Sequence, residues 1–139
     1  MNSSEETSTR VYIILLNYNG WQDTVDCLHS LKNITYSNFY VVVVDNASID
    51  GSVAKIKQWT QKNCVPLTEY FLHSKYEMPE RVIYEPCMTS GFRGLELICS
   101  ADNLGFCAGN NVGMEFASRA EADYLLILNN DTVCESSFL

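Results

Sequence analysis

The sequence predicts an α/β fold organised around a mostly parallel sheet. Three observations carry that expectation. Three continuous apolar runs, rich in β-branched residues, have the length and composition of strands buried on both faces. Apolar residues at helical spacing lie between them. Each run also stops abruptly at a polar side chain, Asn17, Asp45 or Asn129.

In chain order, Met1 to Arg10 is polar and rich in Ser, Thr and Glu, and is expected to be a disordered lead-in. It lacks the basic start and apolar stretch of a secretory signal. Val11 to Leu16 is the first strand. Trp21, Val25, Leu28 and Leu31 then recur at intervals of four, three and three, one face of a helix. Tyr40 to Val44 is the second strand. Val53, Ile56 and Trp59 or Thr60 mark a second helix, with Asp50 or Ser52 as its cap. Residues 63–94 hold all three prolines (Pro66, Pro79 and Pro86) and read as an irregular excursion, with one short strand at Arg81 to Tyr84. A weaker apolar run, Leu95 to Cys99, precedes a third helix marked by Gly109, Val112, Gly113, Phe116, Ala117 and Ala120. Tyr124 to Leu128 is the last strand. Alternation of this kind with right-handed crossovers gives a three-layer, Rossmann-like α/β/α arrangement.

Composition narrows the function. The chain has 139 residues, which fits one domain, and 47% of them are hydrophobic. Its formal net charge of −8 argues against a nucleic-acid partner. It leaves room for a small phosphorylated ligand, because a divalent cation reverses the local sign. No apolar run approaches the ~20 residues of a membrane span. The six cysteines form no CxxC pair, so free buried thiols are expected rather than disulfides or zinc.

In a doubly wound sheet, ligands bind beyond the carboxyl ends of the strands. Four polar clusters fall there: Asn17-Tyr18-Asn19-Gly20, Asp45 to Gly51, Asp102 to Phe106, and Asn129-Asn130-Asp131. Standard nucleotide signatures do not account for them. There is no GxxxxGK[ST] loop, and Gly105, Gly109 and Gly113 are spaced by four, not as GxGxxG. An EF-hand register through Gly51 would need an acid where Lys57 stands.

Val11 to Gly20 followed by Val42 to Ser52 resembles the opening of a family 2 glycosyltransferase of GT-A fold. Asn103-Leu104-Gly105-Phe106-Cys107-Ala108-Gly109-Asn110-Asn111-Val112-Gly113 resembles the N-x-G-F-x-x-G-x-N signature of its rhamnosyltransferase-like branch. Leu128 to Val133 resembles that branch's form of the DXD motif. The resemblance covers most of the chain outside residues 60–94. It implies strand order 3-2-1-4 for the four strands beginning at Val11, Tyr40, Leu95 and Tyr124.

The resemblance implies an inverting transfer of a sugar from a UDP- or TDP-type donor, TDP-rhamnose included, to a saccharide or lipid-linked acceptor. A divalent cation, Mg²⁺ or Mn²⁺, would neutralise the departing diphosphate. Asp131 is its expected ligand. The nucleotide would meet Tyr18, Asn19, Asp45, Asn46, Asn103, Gly105, Asn129 and Asn130. Two departures stand out: Asp45-Asn46 where two acids are common, and a single carboxylate in the DXD-like triplet. Residues 11–139 correspond to the nucleotide-sugar-binding half of the GT-A domain. The general base is expected beyond residue 139, so these residues alone should not transfer sugar. The expected setting is cytoplasmic, with membrane association of the full-length protein left open, and an exposed sheet edge could pair with a second copy. The rival reading is a non-catalytic nucleotide-binding or interaction domain of the same fold.

Overall fold

The computed structural model describes residues 9–73, 80–84 and 92–139. Most of the lead-in at residues 1–10, and parts of the 63–94 excursion, therefore lie outside the described residues. Among the described residues nine elements follow in order: β1 (Val11–Asn17), α1 (Trp21–Lys32), β2 (Phe39–Asp45), α2 (Ser52–Lys62), β3 (Leu67–Leu72), β4 (Glu80–Tyr84), β5 (Gly94–Ser100), α3 (Gly105–Arg119) and β6 (Tyr124–Leu128).

They build one sheet of order β4-β3-β5-β2-β1-β6. Five strands are parallel, and β4 runs antiparallel to β3. The four strands legible in the sequence are β5, β2, β1 and β6 in space, which is the expected 3-2-1-4.

Strand alternation divides the core between two helical layers. Ile13 and Leu15 of β1, Val41 and Val43 of β2, and Leu95 and Leu97 of β5 face one way. They pack on Cys27, Leu28 and Leu31 of α1 and Ile56 and Trp59 of α2. Tyr12, Ile14, Val42, Val44 and Ile98 face the other way, toward Ala117, Val112 and Phe116 of α3. Both faces of β1 and β2 are thus covered, the reason their sequences read as unbroken apolar runs.

The helix α3 comes unusually near the sheet. A Cβ on Gly113 would stand 2.7 Å from Ile14 Cγ2, and one on Gly109 2.6 Å from Leu16 Cδ1. The small residues of the third helix therefore set how closely α3 seats over β1 and β2. On the opposite face, Gly51 precedes α2 and Asp50 Oδ1 accepts the Ser52 N–H at 2.9 Å and also its hydroxyl. Asp50 satisfies a donor at the helix start from just outside it.

Three expectations differ from what is observed. Residues 67–72 are not irregular: β3 pairs in parallel with β5 from Leu67↔Leu95 to Leu72↔Ser100. Its pattern is masked by Glu69, a buried acid whose Oε2 sits 2.9 Å from Lys57 Nζ of α2. The last strand, β6, is not buried on both faces. It ends the sheet, and Tyr124, Leu125 and Ile127 are 67%, 41% and 45% exposed. Among the described cysteines all are free thiols, but only Cys27 is buried and Cys107 is exposed.

Candidate functional site

Parallel register brings the strand ends to one rim. Asn17 stands beside Asp45, Asp45 beside Cys99, and Leu15 beside Leu128. The loops carrying the four polar clusters leave from that rim together. Asn17–Gly20 and Asn129–Asp131 share it: Asn130 Nδ2 donates to Thr24 Oγ1 at 3.1 Å, and a Cβ on Gly20 would lie 3.2 Å from the same nitrogen.

Between β1, β6 and the first turn of α3 the rim opens into a pocket of about 210 Å³. Asn129, Asn130 and Asp131 form one wall. Leu16 of β1, Leu128 of β6, and Phe106 and Asn110 of α3 complete its lining. Asn110 is buried and donates to the Phe106 carbonyl at 3.1 Å, which ties down the turn that carries the exposed Phe106 ring.

The other expected residues surround this pocket in different ways. Tyr18 is 52% exposed on the loop after β1. Asn19 has φ 48° and bridges two loops: its N–H donates to Ser48 Oγ at 2.9 Å and its Oδ1 accepts the Ile49 N–H at 2.8 Å. Asp45 and Asn46 lie beneath the rim, each 2% exposed. Asp45 accepts from Asn17 Nδ2, from Ser48 Oγ and from the Ser48 N–H. Asn46 clasps the start of α3, accepting the Leu104 N–H at 2.7 Å and donating to the Gly105 carbonyl at 3.1 Å. Asn103 Oδ1 accepts the Gly105 N–H at 2.9 Å, and Gly105 takes a left-handed φ of 82° that a side chain would strain. Two donors at the opening of α3 are therefore occupied within the protein, by Asn46 and Asn103.

Of the residues expected from the sequence to meet the ligand, Asn129, Asn130 and Asp131 line this pocket. Sequence reasoning missed Leu16, Thr24, Ser48 and Asn110. Thr24 and Ser48 are ordinary hydroxyl residues whose role arises from contacts 106 and 29–31 positions away along the chain. Asn110 did carry a signal, since it sits one helical turn after Phe106.

The donor set suits a hard cation that a ligand helps to hold. Asp131 is an exposed carboxylate beside two amide side chains, all oxygen chemistry. Among the described residues no three His, Cys, Asp or Glu side chains gather as a self-sufficient metal site would require. A cation here would depend on phosphate oxygens and water for the rest of its shell.

Nearby thiols are held protonated. Burial pushes Cys27 up to about 12, helped by Cys134 and by the charge of Asp131. Burial also raises Cys99 to about 12, with Glu69 and Asp45 adding to it.

The fold is the GT-A fold of glycosyltransferases. Residues 12–75, just under half of the chain, match the model of glycosyl transferase family 2. Among solved structures the chain is similar to the mannosyltransferase PcManGT of Pyrobaculum calidifontis, in complex with GDP-Man and Mn²⁺. That likeness has 19% identity and a TM-score of 0.61, over 88% of this chain and 27% of the other. It is likewise similar to residues 1–349 of TarS from S. aureus in complex with UDP, at 18% identity and TM-score 0.62, over 93% of this chain and 29% of the other. The chain thus spans less than a third of the length of these structures. No curated protein matches it. Among the described residues no helix is long and apolar enough to cross a membrane.

Proposed function

We propose that residues 11–139 are the nucleotide-sugar-binding half of a family 2 glycosyltransferase of the rhamnosyltransferase-like branch. The reaction is transfer of a sugar, with inversion, from a UDP- or TDP-type donor to a saccharide or lipid-linked acceptor. The observation that carries this reading is the wall of Asn129, Asn130 and Asp131 on a pocket at the strand-end rim of a GT-A sheet. The GDP-Man and Mn²⁺ in one similar structure and the UDP in another support a nucleotide and a cation at this rim.

In this proposal Asp131 holds Mg²⁺ or Mn²⁺, which supplies positive charge for the donor diphosphate. The chain's own residues bind and orient the nucleotide. Tyr18 offers an exposed ring to the base, while Asn19 and Ser48 brace its loop. Asp45 and Asn46 act from below, shaping the β1 loop and the start of α3 on which the nucleotide rests. Asn103 and Gly105 contribute the turn that lets backbone approach the ligand. Phe106 and Asn110 line the same pocket from α3.

Calorimetry with UDP, with and without Mn²⁺, tests the reading. Metal should strengthen UDP binding to the wild type, and Asp131→Ala should lose that increment alone. Equal affinity in both proteins with metal present refutes the role of Asp131. The lone carboxylate favours a second reading, a nucleotide-binding domain without catalysis. Sugar transfer by the full-length protein would exclude it.

A further inference from the structure

Asp45 and Asn130 are joined by hydrogen bonds whose direction is dictated at every link. A carboxylate only accepts. Asp45 Oδ1 receives Asn17 Nδ2 at 2.8 Å and the Ser48 hydroxyl at 2.7 Å, and Oδ2 receives the Ser48 N–H at 3.1 Å. Asn17 must therefore turn its amide nitrogen toward β2, which leaves its oxygen toward α1. An amide oxygen also only accepts, so the Thr24 hydroxyl commits its single proton there, at 2.7 Å. Thr24 Oγ1 then has only lone pairs to offer the loop after β6. It meets the Asn130 nitrogen at 3.1 Å. Asn17 and Thr24 are both 0% exposed, so bulk water does not scramble the order.

We propose that Thr24 is a positioning residue that turns the Asn130 carboxamide so that its oxygen, not its NH₂ group, is presented to the pocket. Asn130 lines that pocket beside Asp131. The two residues then offer a carboxylate oxygen and an amide oxygen to a divalent cation bound with a nucleoside diphosphate. A reversed amide would set two lone pairs against each other at Thr24 and aim a donor at the cation. The buried Asp45 thus determines, through Asn17 and Thr24, which atom the loop after the last strand shows its ligand. The ligand half of this inference rests on the proposed function; the amide orientation does not.

The test uses the whole 139-residue chain with Thr24→Val, which keeps the shape and removes the hydroxyl, and Thr24→Ser, which restores it. The first readout is NMR of the metal-free wild type. Nuclear Overhauser contacts from the Asn130 side-chain NH₂ to Thr24 are expected, with slow exchange of those protons. Their absence overturns the orientation whatever the variants do. The second readout is Mn²⁺ binding in the presence of UDP, followed by electron paramagnetic resonance. Thr24→Val should weaken it about tenfold or more, the usual effect of losing a partner behind a metal ligand. Thr24→Ser should restore it, and UDP binding without metal should be unchanged in all three proteins. Equal Mn²⁺ affinity in Thr24→Val and wild type, or an equal loss in metal-free UDP binding, overturns the positioning role. A wild type that holds the NH₂ contact yet binds no Mn²⁺ with UDP overturns the nucleotide–cation reading and spares the orientation.

Discussion

Two alanine substitutions one helical turn apart on α3 should have opposite consequences. At Gly113, a new Cβ would lie 2.7 Å from Ile14 Cγ2, 3.2 Å from Val44 Cγ2 and 3.3 Å from Ile14 Cγ1. Carbon atoms rest at about 3.5–4.0 Å, so helix and sheet would have to part by roughly 1 Å. Ile14 and Val44 are fully buried, β-branched and on neighbouring inner strands, so their methyl groups have nowhere to turn. Overpacking of this kind costs about 3 kcal/mol at the upper end, and alanine returns about 1 kcal/mol of helix propensity. Gly113→Ala should therefore lose about 2 kcal/mol, which lowers the melting temperature by roughly 4–8 °C in a domain of this size. At Gly109 the crowded atom is Leu16 Cδ1, at 2.6 Å, the far end of a half-buried leucine. That side chain can rotate, so Gly109→Ala should stay within about 1 kcal/mol of wild type. Leu16 lines the pocket, however, and its displacement should weaken UDP binding. Urea unfolding and UDP calorimetry on both variants make the comparison. A Gly113→Ala protein as stable as wild type, or a Gly109→Ala protein that is the less stable of the two, refutes the argument from close approach.

Lys57→Met should destabilise the domain by about 3 kcal/mol, because it strands the buried Glu69 carboxylate. Adding Glu69→Leu should recover most of the loss in chemical denaturation, and a purely additive pair would count against the ion pair. Cys27, Cys99 and Tyr12 are raised from 9.0, 9.0 and 10.0 to about 12, chiefly by burial. Their protonated forms stabilise the fold below pH 9, and that contribution is lost as pH climbs toward 12. Circular dichroism across this range should show alkaline unfolding, and a signal flat to pH 12 would contradict the raised values. At pH 8 the exposed Cys107 should react with Ellman's reagent first among the described cysteines, since Cys27 and Cys99 hold about a thousandfold less thiolate than ordinary thiols. Prior labelling of Cys27 would refute this. The apolar edge strand β6 should drive self-association of the 139-residue chain, and Ile127→Lys should reduce it. Light scattering that finds a monomer at every concentration would refute the edge-pairing argument.

What the sequence by itself determined is the central architecture. The strands β1 and β2 are covered on both faces, so hydrophobicity is demanded at every position and their runs stand out without context. The order of β5, β2, β1 and β6 followed from motif resemblance and crossover handedness. Polar residues ending successive strands marked the rim, because parallel strands deliver their carboxyl ends to one side. Tertiary structure decided the rest. The strand β3 was hidden because Glu69 breaks its apolar pattern, and the approach of Lys57 from α2 and of the Cys99 thiol from β5 makes that acid tolerable inside. The exposure of β6 depends on its being last in the sheet, which composition does not encode. The depth of Asp45 and Asn46, and the joining of Asn17, Thr24 and Asn130, likewise belong to the assembled rim. A hydroxyl or amide has the same chemistry wherever it stands in a sequence. Which partner it meets, and therefore which way its dipole points, is set by side chains far away in the chain and adjacent only after folding.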